Sequence, residues 1–297
     1  TAFLTRTLPE GYESIAGYEE VRHTPWLTPP LTHSLPTYST ALFPQRGWPT
    51  CESSWVALAK VSHSVCWPPI FDVVGSEQYR RPAPLTPAAM ARLVARKRFT
   101  SKKGDLPMVI ALNTRTILSI FRDMKVIKYA SIGWGDDEAV QLAEVLPLCT
   151  SATALVLGFN KISARGAKAL AAAFAEGAMP KLEKLALDNN QIGDEGAVAL
   201  AEAVGKGALP KLKALHLEDN QIGDEGAKAL AEAVGKGALP MLKELHLNIN
   251  QIGDEGAVAL AEAVGKGALP ELKELQLGGN KLSQTAKDAW EAVKAKR

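Results

Sequence analysis

The sequence from Asn190 to Pro210, NQIGDEGAVALAEAVGKGALP, recurs letter for letter from Asn250 to Pro270. A third copy, from Asn220 to Pro240, differs only in carrying Lys228 where the first copy has Val198. The copies therefore follow one another with a period of 30 residues. A repeat of this length predicts a solenoid, in which each unit buries its apolar face against its neighbours.

A second pattern, L-x-x-L-x-L-x-x-N, has leucines at a fixed spacing and ends in an asparagine. In the three copies this asparagine is the first residue of the repeated stretch. The pattern occurs at Leu182, Leu185, Leu187 and Asn190, at Leu212, Leu215, Leu217 and Asn220, at Leu242, Leu245, Leu247 and Asn250, and at Leu272, Leu275, Leu277 and Asn280. Alternating leucines predict a short strand with one face inward, and the asparagine can hydrogen-bond the backbone where the chain turns. We expect the strand leucines to form one buried ladder of Leu155, Leu185, Leu215, Leu245 and Leu275.

A helix is predicted after each strand. Asp194 is expected to cap the helix that it begins, and Glu195 suits the helix dipole in the first turn. Apolar residues such as Leu200 then follow at helical spacing, and Gly205 and Gly207 should end the helix.

This leucine and asparagine pattern resembles the leucine-rich repeat, and its length is similar to that of the ribonuclease-inhibitor-like, NOD-like-receptor-type subfamily. The resemblance implies an α/β solenoid with parallel strands on a concave face and helices on a convex one. We predict that the solenoid with its terminal caps covers residues 126–297, including one degenerate unit in which Ala152 replaces the first leucine. A helix from Ser283 to Lys296, carrying Trp290, should form the last cap.

The N-terminal residues differ in composition, since 13 of the 18 prolines lie before residue 108. Such density argues against regular helices and central strands, whereas aromatic residues argue against disorder. We predict an extended arm over residues 1–48 and a small helical region over 49–125. The motif RGWP at 46–49, Thr86-Pro87 before a helix, and a later helix opened by Asp105 resemble an uncharacterised domain that precedes leucine-rich repeats in unicellular algal proteins.

Charge and cysteine content indicate the kind of cellular compartment in which the protein is found. Residues 1–125 carry 15 Lys and Arg against 9 Asp and Glu, and the remainder carries 19 against 23. Three cysteines are too few for a disulfide framework, which favours a reducing intracellular compartment, either the cytoplasm or an organelle interior such as a plastid. No apolar run is long enough to span a bilayer, so attachment to a membrane complex would be peripheral.

Catalytic chemistry has little support in the sequence. Cys51, His63 and Cys66 lack the fourth ligand of a structural zinc site and the orienting group of a nucleophile pair. The phosphate-loop pattern is absent. We therefore predict no enzyme activity, no cofactor and no metal.

One basic cluster stands out in the N-terminal half. It consists of Arg80, Arg81, Arg92, Arg96, Lys97, Arg98, Lys102 and Lys103. It could bind an anionic ligand, dock an acidic protein or the acidic flank of the array, or be a solvated helix face. Nucleic acid is disfavoured, because no aromatic residue lies within the helical part of the cluster and the whole chain has a net charge of only +2.

The repeats differ from one another mainly at the outward strand positions, so the concave face is the diversified one. We predict a partner-binding surface of Phe159, Lys184, Asp188, His216, Glu218, Asp219, Glu244, His246, Asn248, Ile249 and Gln276. His216 and His246 are neighbours in one column and could share a metal. With no third ligand evident, two exposed imidazoles that contact a partner or water are the favoured interpretation.

Two functional classes follow from these features. The first is a non-enzymatic interaction or scaffold module, including an accessory subunit of a large assembly, that binds a protein through the concave face and the N-terminal arm. The second is a sensor or signalling protein whose N-terminal half derives from an enzymatic or nucleotide-binding domain. A pocket with convergent polar side chains in the N-terminal half would favour the second class.

Overall fold

A computed structural model describes residues 71–74, 77–80, 82–96 and 102–294 of the chain. The arm predicted for residues 1–48, the RGWP motif, and Cys51, His63 and Cys66 lie outside the described residues. Two short strands, β1 (Phe71–Val74) and β2 (Glu77–Arg80), pair antiparallel at the start of the described part.

The main sheet has six parallel strands whose spatial order is the order of the sequence. These strands are β3 (Val126–Lys128), β4 (Ala154–Val156), β5 (Lys184–Ala186), β6 (Ala214–His216), β7 (Glu244–His246) and β8 (Glu274–Gln276). Each strand pairs only with its sequence neighbours, as a solenoid requires. The predicted fold class, an α/β solenoid of parallel strands, is confirmed.

Helices precede the main sheet and alternate with its strands. They are α1 (Pro87–Ala95), α2 (Lys102–Asp123), α3 (Asp136–Ala143), α4 (Ala164–Ala175), α5 (Gly193–Gly205), α6 (Asp224–Gly235), α7 (Asp254–Gly265) and α8 (Gln284–Lys294). Neighbouring helices from α3 to α8 pack against one another and form the second layer of the solenoid. The helix predicted from Ser283 to Lys296 is described over Gln284–Lys294, and its Trp290 packs into the core.

The predicted leucine ladder is present in the sheet. Strand pairing aligns Leu155, Leu185, Leu215, Leu245 and Leu275 in register. All five are buried, and Ile127 of β3 extends the ladder by one strand. The ladder therefore forms the centre of a core that runs through every repeat.

A second ladder is polar and consists of the repeat asparagines. The amide nitrogen of Asn190 donates to the carbonyl of Leu187 in its own repeat (3.0 Å) and to that of Leu157 in the preceding repeat (3.1 Å). Its Oδ1 accepts from the backbone N–H of Ile162 (3.0 Å). Equivalent bonds from Asn160, Asn250 and others satisfy backbone groups that are buried between repeats.

The helix caps differ from the prediction, because the aspartate serves the next repeat instead of its own helix. Oδ1 of Asp194 accepts from the backbone N–H groups of Gly223 (2.7 Å) and Gly226 (2.8 Å), at the start of α6. Asp224 makes the same two bonds to the start of α7. A Cβ at position 226 would lie 2.9 Å from Asp194 Oδ1, which explains the glycine.

The first such cap is made by Asp136, which binds the N–H groups of Ser163 (2.8 Å) and Gly166 (2.9 Å). Burial opposes ionisation of Asp136, but these bonds and one from the Ser163 hydroxyl outweigh it and hold the pKa of the carboxyl below its usual value. The stacked repeats are therefore joined by charge-assisted caps.

One repeat lacks this connection. Ala164 occupies the position of the capping aspartate, and its Cα lies beside Gly196 at the start of α5. Gly193 there adopts a left-handed conformation (φ 61°), whereas Gly223 is extended (φ −101°). We attribute the different start of α5 to the missing carboxylate.

The helices end as predicted, because Gly207 adopts a left-handed conformation (φ 89°) just after α5. On the N-terminal side, Thr86 caps α1 by accepting from the N–H of Ala89 (3.2 Å). Helix α2 begins by Lys102, so Asp105 lies in its first turn and does not open it. Buried residues of both helices, such as Met90 and Ile117, belong to the same core as the solenoid.

Truncation of Leu215 tests the buried ladder. We expect Leu215→Ala to lower the free energy of unfolding by about 2–5 kcal/mol, because both neighbouring repeats are held in register and cannot close over the cavity. Chemical denaturation followed by circular dichroism gives the value, with exposed Met241→Ala as the control. If the two variants had equal free energies of unfolding, the leucine ladder would not be the centre of the core.

Substitution of Ala164 by Asp tests the cap between repeats. We expect Ala164→Asp to raise the free energy of unfolding by about 0.5–2 kcal/mol, because the new carboxylate can accept from the N–H groups at the start of α5. Asp194→Ala should lower it by a similar amount, since it removes the corresponding cap from α6. If Ala164→Asp destabilises the protein, the missing cap does not explain the start of α5.

Candidate functional site

The candidate site is the outward face of the parallel sheet. Strand register places Lys184, Ala214, Glu244 and Glu274 in one column and Ala186, His216, His246 and Gln276 in the next. In a parallel sheet, neighbours in such a column are about 4.8 Å apart. The columns predicted from the repeat alignment are therefore real columns of the sheet.

The predicted surface residues differ in their exposure. Phe159, Asp219 and Ile249 are exposed. The remainder are half-buried, namely Lys184, Asp188, His216, Glu218, Glu244, His246, Asn248 and Gln276. The amide of Asn248 donates to the side-chain oxygen of Gln276 in the next repeat. The face is thus a packed polar layer with a few projecting side chains.

The two histidines stack on each other. The rings of His216 and His246 have centroids 4.3 Å apart and are inclined by only 8°. Their side chains are only 15% and 14% exposed, so the prediction of two exposed imidazoles is wrong. The physical reason is that adjacent large side chains in one column of a parallel sheet cover each other.

Carboxylates surround the stacked rings. Nδ1 of His246 lies 2.9 Å from Oε1 of Glu218, within hydrogen-bonding distance. Oε2 of Glu244 lies 3.5 Å from Nε2 of His216, and Oε2 of Glu274 lies 3.8 Å from Nε2 of His246. Burial, followed by the charge of Lys184, lowers the pKa of His216, which favours its neutral form.

Three polar atoms of this cluster are buried without a hydrogen-bond partner. They are Nε2 of His216, Nε2 of His246 and Oε2 of Glu218. Ligand atoms of His216, Glu244 and His246 all lie within 4.8 Å of one another. Glu244 is the third donor that the sequence left unassigned. The strand alternation was a usable signal, since residues two apart point to the same face.

Asp188 adds a further half-buried carboxyl beside the cluster. Burial raises the pKa of Asp188, and the nearby charge of Glu218 raises it further. The carboxyl also fills the space over Gly158, where a Cβ would lie 2.6 Å from Asp188 Oδ1. Asp188 therefore belongs to the packed layer more than to the projecting surface.

Ile249 and Phe159 project from the turn after the strand in a left-handed backbone conformation (φ 53° and 58°). Other repeats place Asn189 and Asp219 there, which tolerate this conformation better. A β-branched residue such as isoleucine is the least suited to it. Ile249 is also 62% exposed, so packing does not offset the strain.

Apolar residues occupy another left-handed position of each repeat, but those residues are buried. They are Met179, Leu209, Leu239 and Leu269. Core packing stabilises them in that conformation, whereas the exposed Ile249 has no such support. Ile249, at 62% exposure, and Phe159, at 41%, thus combine an unfavourable backbone conformation with an exposed apolar side chain, and Ile249 does so more strongly because it is β-branched.

The structure describes only part of the predicted basic cluster. Arg92 of α1 and Arg96, which follows it, are exposed. The backbone positions of Arg80, Lys102 and Lys103 lie in β2 and α2. Arg81, Lys97 and Arg98 are outside the described residues.

A sequence model of the family described as "Leucine Rich repeat" matches residues 149–171, 178–201, 208–231 and 238–261. The chain contains leucine-rich repeats. Repeats of this kind form protein–protein interaction modules and are typically non-enzymatic. The degenerate unit that contains Ala152 is among the matched segments. A search of curated proteins found no match.

Several solved structures are similar to part of the leucine-rich-repeat chain. An internalin (inlF) from Listeria monocytogenes is 22% identical, covering 53% of this chain and 36% of its own, with a TM-score of 0.33. The BIR2 ectodomain from Arabidopsis thaliana is 17% identical over 48% of this chain and 62% of its own, with a TM-score of 0.26. A plant ice-binding protein is 16% identical over 54% of this chain and 65% of its own, with a TM-score of 0.20.

None of the described helices is both long and apolar enough to cross a bilayer.

Substitution of Ile249 tests the backbone strain at the projecting position. We expect Ile249→Asn to raise the free energy of unfolding by about 1 kcal/mol, because asparagine adopts the left-handed conformation at lower cost. Ile249→Val keeps the β-branch and should leave stability close to that of the natural sequence. Equal gains from both substitutions, measured by chemical denaturation, would show that exposure and not backbone conformation sets the effect.

Proposed function

We propose that this leucine-rich-repeat chain is a non-enzymatic scaffold module whose concave face binds a protein partner. The observation that carries the proposal is Ile249, which is apolar, exposed and unfavourable in backbone conformation. A residue that destabilises the free protein is explained by a contact made in a complex. Phe159, with the same conformation, is the second apolar contact of the proposed surface.

The charges of the face indicate the chemistry of the partner. Glu218 and Asp219 belong to the repeat before that of Ile249, Glu244 to the same repeat and Glu274 to the next one. Lys184 is the cation of the predicted surface. An acidic face favours a basic partner surface and raises the rate of association with it. We therefore propose a partner that combines basic side chains with an apolar patch that accepts Ile249.

The finer assignments from the sequence remain proposals of the same kind. A strand followed by a helix of 12 or 13 residues in each repeat supports the ribonuclease-inhibitor-like form. Cys149 is a free, buried thiol, which supports a reducing compartment. An accessory subunit of a large assembly, with the N-terminal arm as a second contact, fits the same function.

The test uses the full chain as bait for chemical cross-linking and capture from cells that express it. We expect contacts of the captured partner to map to Phe159, Ile249 and the acidic columns. Ile249→Asn should reduce capture about 10-fold or more, as expected for a residue at the centre of an interface. This variant is expected to be more stable than the natural sequence, so unfolding would not explain the loss.

A pair of charge reversals assigns the face. Asp219→Lys should weaken binding to a basic partner mainly through the association rate, measured by surface plasmon resonance. Glu225→Lys on the convex helix α6 is the matched control, since Glu225 is also exposed. Loss of capture with Glu225→Lys and none with Asp219→Lys would place the partner on the opposite face.

A further inference from the structure

The stacked histidines have ring nitrogens that lack hydrogen-bond partners, and the proposed protein binding through Ile249 does not involve these nitrogens. Nε2 of His216 and Nε2 of His246 are both buried, and neither makes a hydrogen bond of good geometry. The carboxylate oxygens that face them, from Glu244 and Glu274, are 3.5 and 3.8 Å away. A buried polar atom without a hydrogen-bond partner destabilises the folded chain. Two such nitrogens side by side in the free protein therefore point to a ligand that pairs with both.

The second nitrogen of His246 defines what that ligand can be. Nδ1 of His246 lies 2.9 Å from Oε1 of Glu218, and a carboxylate can only accept, so Nδ1 carries the hydrogen. In the neutral ring, Nε2 then presents a lone pair. A carboxylate that holds the far side of an imidazole is the usual support of a metal-binding histidine, because it fixes the tautomer and the ring orientation.

A third donor completes the set. Ligand atoms of His216, His246 and Glu244 lie within 4.8 Å of one another, and Glu244 is half-buried with its carboxylate open to solvent on one side. Two imidazoles and one carboxylate form the ligand set of many zinc sites that keep one position open. Nitrogen ligands disfavour Mg²⁺ and Ca²⁺, which prefer oxygen.

We propose that His216, His246 and Glu244 bind one divalent transition-metal ion of the Zn²⁺ type on the concave face. The donor atoms lie within 4.8 Å of one another, and Nε2 of His216 is already 3.5 Å from Oε2 of Glu244. Zn–N and Zn–O distances of about 2.0–2.2 Å require all three donors to converge on one point. The parallel rings therefore tilt out of their stack as the ion binds, and Glu244 rotates towards them. The remaining coordination position faces the open concave surface.

Zinc binding to the full chain, freed of metal with a chelator, tests this site. Isothermal titration with ZnCl₂ should show one ion bound per chain to these three ligands. His216→Gln and His246→Gln should each weaken the binding by at least about 100-fold, more than the 10- to 100-fold expected for loss of a group that only orients a ligand. Glu218→Gln should weaken zinc binding by about 10- to 100-fold, because Glu218 orients His246 without binding the ion.

Two carboxylates in one column provide a matched comparison. Glu244→Gln should weaken zinc binding strongly, whereas Glu274→Gln, whose carboxylate lies 3.8 Å from Nε2 of His246, should change it little. A larger loss with Glu274→Gln would overturn the assignment of Glu244. Glu225→Gln on the convex face should leave zinc affinity unchanged. A loss of affinity equal to that of Glu244→Gln would show that zinc does not bind at the proposed site.

Cobalt binding separates this site from the thiols elsewhere in the chain. Co²⁺ bound to nitrogen and oxygen ligands should show visible d–d bands without the thiolate charge-transfer band that a Cys51 or Cys66 site would produce. Zinc should also raise the melting temperature of the natural sequence and not of His246→Gln, since a ligand stabilises only the state that binds it. A thiolate band, or zinc binding unchanged by both histidine substitutions, would overturn the proposal.

Discussion

The repeats that contain β4 to β7 each depend on one buried asparagine, because the chain must leave a strand inside the core and turn without leaving its buried backbone groups unpaired. Asn190 and its counterparts solve this problem with one side chain, which donates to carbonyls of two repeats and accepts from a backbone N–H. An apolar side chain of similar size would fill the space but leave these groups unpaired. Buried polar groups tolerate such a loss poorly. The asparagine therefore holds adjacent repeats in register at the same place where it allows the turn.

The aspartate caps join the repeats in the same way on the helical side. Asp194 stabilises the start of α6 and Asp224 the start of α7, so each helix begins on a carboxylate from the unit before it. The polar connections on both sides of the leucine ladder thus cross the boundary between units. A substitution in the core or at the start of a helix therefore affects two repeats at once. This explains why the repeats are nearly identical in sequence at these positions.

The concave face is free of that constraint, and it is where the repeats diverge. Its divergence has produced features that are unfavourable in isolation, namely an exposed isoleucine in a left-handed turn and two buried ring nitrogens without partners. Both lie on the concave side of the solenoid, within two neighbouring repeats. A surface that keeps such features while the core is almost invariant is best explained by contacts made in a complex or with an ion.

The sequence by itself determined the repeat period, the parallel sheet, the leucine ladder and the columns of the concave face. These follow from spacing within one unit and from the alternation of a strand, which are local properties. Tertiary structure decided the direction of the Asp194 cap and the burial of His216 and His246. Each of these is a contact between residues about 30 positions apart, whose side-chain directions no local pattern specifies. The backbone strain at Ile249 likewise follows only from its φ angle in the structure, because an isoleucine in the sequence does not indicate a left-handed conformation.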